Sequence, residues 1–215
     1  MTGPPGAGAL ILAGYLLGSM PVGLLVGRAV GGLDLRDVGS RRTGATNAMR
    51  TLGSGWGAAV LLLDLLKGLS AVLLARIAYD GPAAEWVAAA AGLAAVIGHN
   101  WSVFIRFTGG RGVATTGGGL LALSPLAVAA VLPAMLLVVW RWRYVSAASL
   151  VGAAGAMLVT AGLALSGVGG WPPVGYALAA GAIVIGSHTD NISRLRAGTE
   201  RRIGEKEVMR GHVQR

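Results

Sequence analysis

From Leu10 to Ser187 the chain is a succession of apolar runs, most of them close to the ~20 residues a helix needs to cross a bilayer, parted by short polar segments. A hydrophobic content of 54%, only 13% charged residues and a mean hydropathy of +0.66 are foreign to a soluble domain. Backbone polar groups in lipid must be satisfied within the element, so the chain reads as an all-α integral membrane protein, a single domain over residues 1–215. Its 36 glycines then serve close helix packing. With no cysteine there is no disulfide, thiolate nucleophile or thiolate metal site, and the three histidines are scattered. Neither a metal nor a cofactor is expected.

The first span is Leu10 to Val30; no basic segment precedes it and Arg28 follows it, so the N-terminus is expected outside the cytoplasm. A polar loop covers Gly31 to Gly53. The second span, about Trp56 to Ala78, carries Asp64 and Lys67, three apart and hence on one helical face. A charged pair inside a span should look into the bundle or a cavity, as a structural salt bridge or as part of a site. The third span is about Ala83 to His99. Val113 to Val139, as a single helix, would reach about 40 Å, too long for one upright crossing. Ser124-Pro125 offers a turn near its middle, so two short helices are expected. Val145 to Leu165 and Val174 to Ser187 complete a bundle of seven transmembrane helices, followed by a basic tail, about 190–215, that is helical or frayed.

The formal net charge of +9 is compatible with nucleic acid, anionic lipid or an anionic substrate, and position decides. With seven spans, every Lys and Arg falls on one side except Lys67, within a span, and Arg76, opposite. That obeys the positive-inside rule, with the polar motif loops on the cytoplasmic face of a multi-pass protein of the inner (plasma) membrane and no role for nucleic acid. Trp101, Trp140 and Trp142 read as interface anchors. Oligomeric state is left open.

Three polar clusters share that side. In the first, Ser40, Thr43, Thr46, Asn47 and Arg50 supply donors to anionic oxygens, and Gly39 and Gly44 let a backbone come close. The second, GHNWSVFIRFTGGRGVATTGGG from Gly98, looks like a phosphate cradle: Gly109, Gly110 and Gly112 strip side chains from around Arg111, and a helix starting at Val113 would aim its positive end at the same spot. It lacks the GxxxxGK[ST] spacing of a nucleotide loop. In the third, His188 and Asn191 lie one helical turn apart; His99 reads equally well as a packed residue.

These strings resemble the bacterial acyl-phosphate:glycerol-3-phosphate acyltransferases of the PlsY type, whose pattern is GSGNxGATNxxR, DxxKG, GHxxPxFxxFxGGKGVAT and HxxNIxRL. Here stand GSRRTGATNAMR, DLLKG, GHNWSVFIRFTGGRGVAT and HTDNISRL, in the same order, over about Gly18 to Glu205. Arg41-Arg42 replace Gly-Asn, Ser102 stands at a proline position, and Arg111 replaces lysine. The resemblance implies a seven-helix membrane enzyme that moves a fatty acyl group from acyl phosphate to the 1-hydroxyl of glycerol 3-phosphate, within membrane lipid. The product would be 1-acyl-glycerol 3-phosphate, lysophosphatidic acid, the first acylated intermediate of phospholipid synthesis. By the same resemblance Ser40, Arg50, His188 and Asn191 are the catalytic candidates. Gly44, Thr46, Asn47, Lys67, Gly109, Gly110, Arg111, Gly112 and Ser149 are the substrate-binding ones, with Ser146 an equal reach away. His188 is either a general base or a hydrogen-bonding group.

An acyl phosphate has a good leaving group, which suits a chain without cysteine and without HxxxxD: four residues after His99 is Val103, and four after His188 is Ile192. Two rivals are weaker. An anion transporter should show inverted repeats and charges near mid-membrane. A CDP-alcohol phosphotransferase needs clustered aspartates for metal ions, and Asp64 has no acidic neighbour in its span.

Overall fold

A computed structural model describes residues 6–205. Within them lie ten α-helices: α1 (Ala7–Ser19), α2 (Val22–Gly31), α3 (Ala45–Leu52), α4 (Ser54–Ala78), α5 (Ala84–Asn100), α6 (Val113–Leu123), α7 (Pro125–Trp142), α8 (Val145–Leu165), α9 (Trp171–Gly186) and α10 (Thr189–Arg196). A single 3-10 turn, Val103–Ile105, lies between α5 and α6. Taken together, α1 and α2 form one of five segments long and apolar enough to cross a membrane, with α4, α5 extended through the turn, α7 and α8. The apolar helices α6 and α9 are shorter, with 11 and 16 residues. The end of the expected tail, residues 206–215, lies outside the described residues.

The expected first span is broken. Proline has no N–H to give, so the helix stops at Ser19 and restarts at Val22 beyond Pro21. The carbonyl of Met20 at the break accepts a hydrogen bond from Lys67 Nζ at 3.2 Å. Lys67 also pairs with Asp64 across one turn of α4, Nζ to Oδ1 3.0 Å, and His99 Nδ1 approaches the same oxygen at 3.4 Å. All three side chains are buried, so this network joins α1, α4 and α5 from within.

Elsewhere the helices meet through missing side chains. A methyl on Gly18 would collide with the backbone of Ala95, which brings α1 against α5; a methyl on Gly118 would collide with Leu65, which does the same for α6 and α4. Among lipid-facing helices, whose apolar surface gains little by leaving lipid, such close approach is what holds elements together. The expected turn at Ser124-Pro125 is present. The short α6 is walled in by α4, α5, α7 and α9, so protein rather than lipid meets its ends. The last turn of α6 is closed by Arg76, whose Nη1 donates to the Ala122 carbonyl at 2.5 Å while Nη2 pairs with Glu85 at 2.6 Å. That gives the isolated cation at the far end of the bundle a structural task.

Candidate functional site

The polar segments gather at one end of the bundle: the loop before α4, the start of α4, the end of α5, the starts of α6 and α8, and the end of α9 with α10. They surround a cavity of about 140 Å³.

The first wall is the loop that carries Ser40, and one side chain organises it. Asn47 is 1% exposed. Its Nδ2 donates to the carbonyls of Leu35, Val38 and Arg42 at 2.8, 3.1 and 2.9 Å, and its Oδ1 accepts from the Ser40 N–H at 2.9 Å. Gly39 (φ 59) lies so close to that oxygen that a Cβ would strike it. The Asn47 amide is therefore spent on holding the loop around it. Arg36 clamps the loop from behind: it pairs with Asp34 at 2.6 Å and donates to the Ile105 carbonyl and Thr108 Oγ1 at 3.3 and 3.1 Å. The Arg36 hydrogen bonds hold the Asp34 carboxyl below its usual range. The loop passes into α3, in whose last turn Arg50 lines the cavity and donates to the Arg201 carbonyl at 3.4 Å.

The second wall is the glycine cradle. A Cβ on Gly109 would meet the His99 carbonyl, and one on Gly110 the His99 ring. These two glycines press the cradle onto the end of α5 and lie outside the cavity lining; Gly112 (φ 79) lies in it and leads into α6. Arg111 reaches across to donate from Nε to the Ser187 carbonyl at 3.1 Å. Burial, then the like charges of Arg42 and Arg194, lower its pKa to about 10, so it is cationic at neutral pH.

The third wall comes from α8 and the chain beyond α9. Ser149 Oγ bonds back to the Val145 carbonyl at 2.9 Å, which leaves its oxygen lone pairs available; both Ser149 and Ser146 line the cavity. His188 Nδ1 lies 2.7 Å from the Val184 carbonyl. A carbonyl only accepts, so Nδ1 carries the proton and neutral His188 has an acceptor at Nε2. Burial pushes the His188 pKa down, opposed by that backbone bond and helped by the charge of Arg111.

Glu200, a residue absent from the sequence reading, is buried in this wall. It accepts from Asn191 Nδ2 at 2.6 Å and Ser146 Oγ at 2.9 Å, and pairs with Arg194 at 2.8 Å. Burial works against its charge, but those hydrogen bonds hold its pKa below the usual carboxylate value. Its sole signal in the sequence is an acid in a basic tail. Arg42, Asp64 and His99 also line the cavity.

Of the residues singled out from sequence, Ser40, Gly44, Thr46, Asn47, Arg50, Arg111, Gly112, Ser149, His188 and Asn191 surround this one cavity; Lys67, Gly109 and Gly110 support it from behind. Its remaining lining is apolar, with Leu61, Val113, Ala114 and Val145, and Leu61 is half exposed on the outside of the bundle. Guanidinium groups, hydroxyls and a helix start beside an apolar strip can hold phosphate at one end of a molecule and hydrocarbon at the other. Among the described residues no three His, Asp or Glu side chains gather as metal ligands would.

A family model described as glycerol-3-phosphate acyltransferase matches residues 8–198. The chain is 47% identical over 198 residues to a glycerol-3-phosphate acyltransferase 2 of Moorella thermoacetica, covering 92% of this chain and 97% of that protein. It is 46% identical to a glycerol-3-phosphate acyltransferase of Rubrobacter xylanophilus, covering 91% and 94%. A crystal structure of PlsY, an integral membrane glycerol 3-phosphate acyltransferase, in its glycerol 3-phosphate form superposes with a TM-score of 0.83 at 38% identity, over 95% of this chain and 99% of that one. Its lysophosphatidic acid form gives 0.79 at 36% identity, over 92% and 95%.

Proposed function

The chain belongs to the glycerol-3-phosphate acyltransferase family, and from that membership we propose that it transfers a fatty acyl group from acyl phosphate to the 1-hydroxyl of glycerol 3-phosphate. The products are 1-acyl-glycerol 3-phosphate and inorganic phosphate. The hydroxyl oxygen bonds to the acyl carbon, the bond from that carbon to the phosphate oxygen breaks, and the hydroxyl proton leaves on the phosphate.

One observation carries the reading: Ser40, Arg50, Arg111, Ser149, His188 and Asn191, drawn from four distant segments, line a single cavity with an apolar strip. Two phosphates must meet there, and they repel. Arg50 with Ser40 receives the acyl phosphate, the Ser40 backbone being posed by Asn47. Arg111, Ser149 and the start of α6 hold glycerol 3-phosphate. Asn191, fixed through Glu200, steadies the hydroxyl region, and His188 Nε2 accepts the attacking hydroxyl's hydrogen bond and aligns its lone pair. The acyl chain follows Leu61, Val113 and Val145 toward lipid. Positioning and charge neutralisation do the catalysis, with no covalent enzyme intermediate.

The same reading makes residues 1–215 one acyltransferase domain of the inner membrane. It crosses seven times, with its N-terminus outside and the site on the cytoplasmic rim, where glycerol 3-phosphate arrives from water.

The test is an assay of purified protein with palmitoyl phosphate against palmitoyl-CoA, repeated on Arg50→Ala and Arg111→Ala. Ester is expected from the phosphate donor, and on the order of 100-fold less in either variant. Product from the thioester alone would overturn the donor; undiminished variants would overturn the roles.

A further inference from the structure

Arg42 stands where the PlsY-type pattern has asparagine, and its position is unlike that of the other two cavity arginines. Arg50 donates to the Arg201 carbonyl and Arg111 to that of Ser187. The half-buried Arg42 guanidinium forms no hydrogen bond or ion pair among the described residues; only its backbone carbonyl is engaged, by Asn47. A partly desolvated guanidinium with five donors unspent is held for an anion.

Arg42 also faces two ways. It lines both the 140 Å³ cavity and a second one of about 560 Å³, and is the one residue they share. The Arg111 bond to the Ser187 carbonyl joins the two linings, and in the wall of the second Asn100 Nδ2 donates to Ser187 Oγ at 2.9 Å. The second cavity is rimmed by Trp101, Gly110, Ala182 and Gly186, and no carboxylate lines it. Its one charged group is Arg42.

We propose that Arg42 makes the second cavity an antechamber for phosphate dianions, a seat between water and the reaction cavity that the family pattern does not encode. The chemistry recognised is a tetrahedral phosphate bearing two negative charges. It comes from one of two sources, incoming glycerol 3-phosphate or departing inorganic phosphate. In turning from one cavity to the other the Arg42 guanidinium would break no bond to the described residues. Its charge already reaches the inner one, where it acts on both Arg111 and His188. The proposal shares with the acyltransfer reading only the premise that the ligands are phosphates.

The experiment measures equilibrium dialysis of radiolabelled inorganic phosphate and, separately, of glycerol 3-phosphate, on purified full-length protein in detergent, together with steady-state kinetics. Arg42→Asn restores the family residue and removes the charge. It is expected to weaken binding of the antechamber's ligand about tenfold, the scale of one charge-assisted hydrogen bond, with the kinetic effect on KM or on phosphate inhibition rather than on kcat. Ala182→Trp, at an exposed position that lines only the second cavity, should reproduce the change with Arg42 intact. A loss confined to glycerol 3-phosphate assigns the antechamber to entry; a loss confined to phosphate assigns it to exit. Unchanged affinities for both ligands in Arg42→Asn, or a fall in kcat alone, would overturn it. Arg42-dependent binding in a protein that makes no ester from any acyl donor would sink the acyltransfer reading and leave the antechamber standing.

Discussion

The imidazole of His188 gives its Nδ1 proton to the carbonyl of Val184, one turn earlier, at 2.7 Å, and so turns an acceptor nitrogen toward the cavity. Burial favours the neutral ring. Between the depressed pKa of the folded state and the ordinary value of about 6.5 in the unfolded chain, the unfolded state binds more protons. Stability therefore rises with pH through that window and is lost as pH falls below about 6.5. Thermal unfolding in detergent should show the midpoint dropping on acidification, and His188→Gln should flatten that slope. The same variant should cost on the order of 100-fold in kcat at neutral pH.

Asn47 is expected to matter through the loop rather than through ligand contact. Asn47→Ala strands the Ser40 N–H and the carbonyls of Leu35 and Arg42, while the Val38 carbonyl keeps the Arg41 N–H, which should destabilise by about 2 kcal/mol or more. Asn47→Asp keeps the acceptor for Ser40 but sets a carboxylate against those carbonyls. Both variants should lower the unfolding midpoint, whereas a residue that merely touched substrate would leave it unmoved.

Arg41 occupies the position of the family's first-loop glycine with φ 56, a left-handed conformation that costs a side chain about 1–2 kcal/mol. Arginine thus adopts, at the expense of strain, a backbone shape that a glycine takes freely. Arg41 is exposed and lies outside the cavity lining. Arg41→Gly should raise stability by about 1 kcal/mol with kcat/KM unchanged, read from denaturation curves and the acyltransfer assay.

How far the sequence shows this molecule depends on which force sets each element. Val145 to Leu165 is a helix with the expected ends because nothing but apolar length governs it. The Ser124-Pro125 break was visible because proline and bilayer thickness agree. The break at Pro21 does not show in the hydropathy, since apolar residues continue on both sides; the lone proline is its signal. The short α3 is polar and amphipathic, with no span-length pattern, and it forms because Asn47 and the packing against α4 fold the loop back. In the site, the strings named most of the lining. They could not tell that the Asn47 amide is consumed by its own loop, or that Gly109 and Gly110 press on His99 rather than face the cavity. Glu200 is not legible in the sequence because a lone acid in a basic tail has no spacing to betray it; only the fold brings it to Ser146 and Asn191.

The buried charges of α4 lead to the last prediction. Lys67 touches Asp64 and the Met20 carbonyl, and Asp64 also faces His99 and the cavity. Removing one partner of a buried pair leaves an uncompensated charge, at a cost of about 3–5 kcal/mol. Lys67→Met should therefore be severe, because Asp64 keeps only His99 and the Met20 carbonyl is left with the Val22 N–H alone. Asp64→Asn/Lys67→Met removes both charges and should recover much of the lost stability, since desolvation no longer has to be offset. A double-mutant cycle on thermal unfolding reads this coupling. Additive losses would mean that Lys67 serves Met20 alone, whereas strong coupling ties the break in the first span to the carboxylate that lines the cavity.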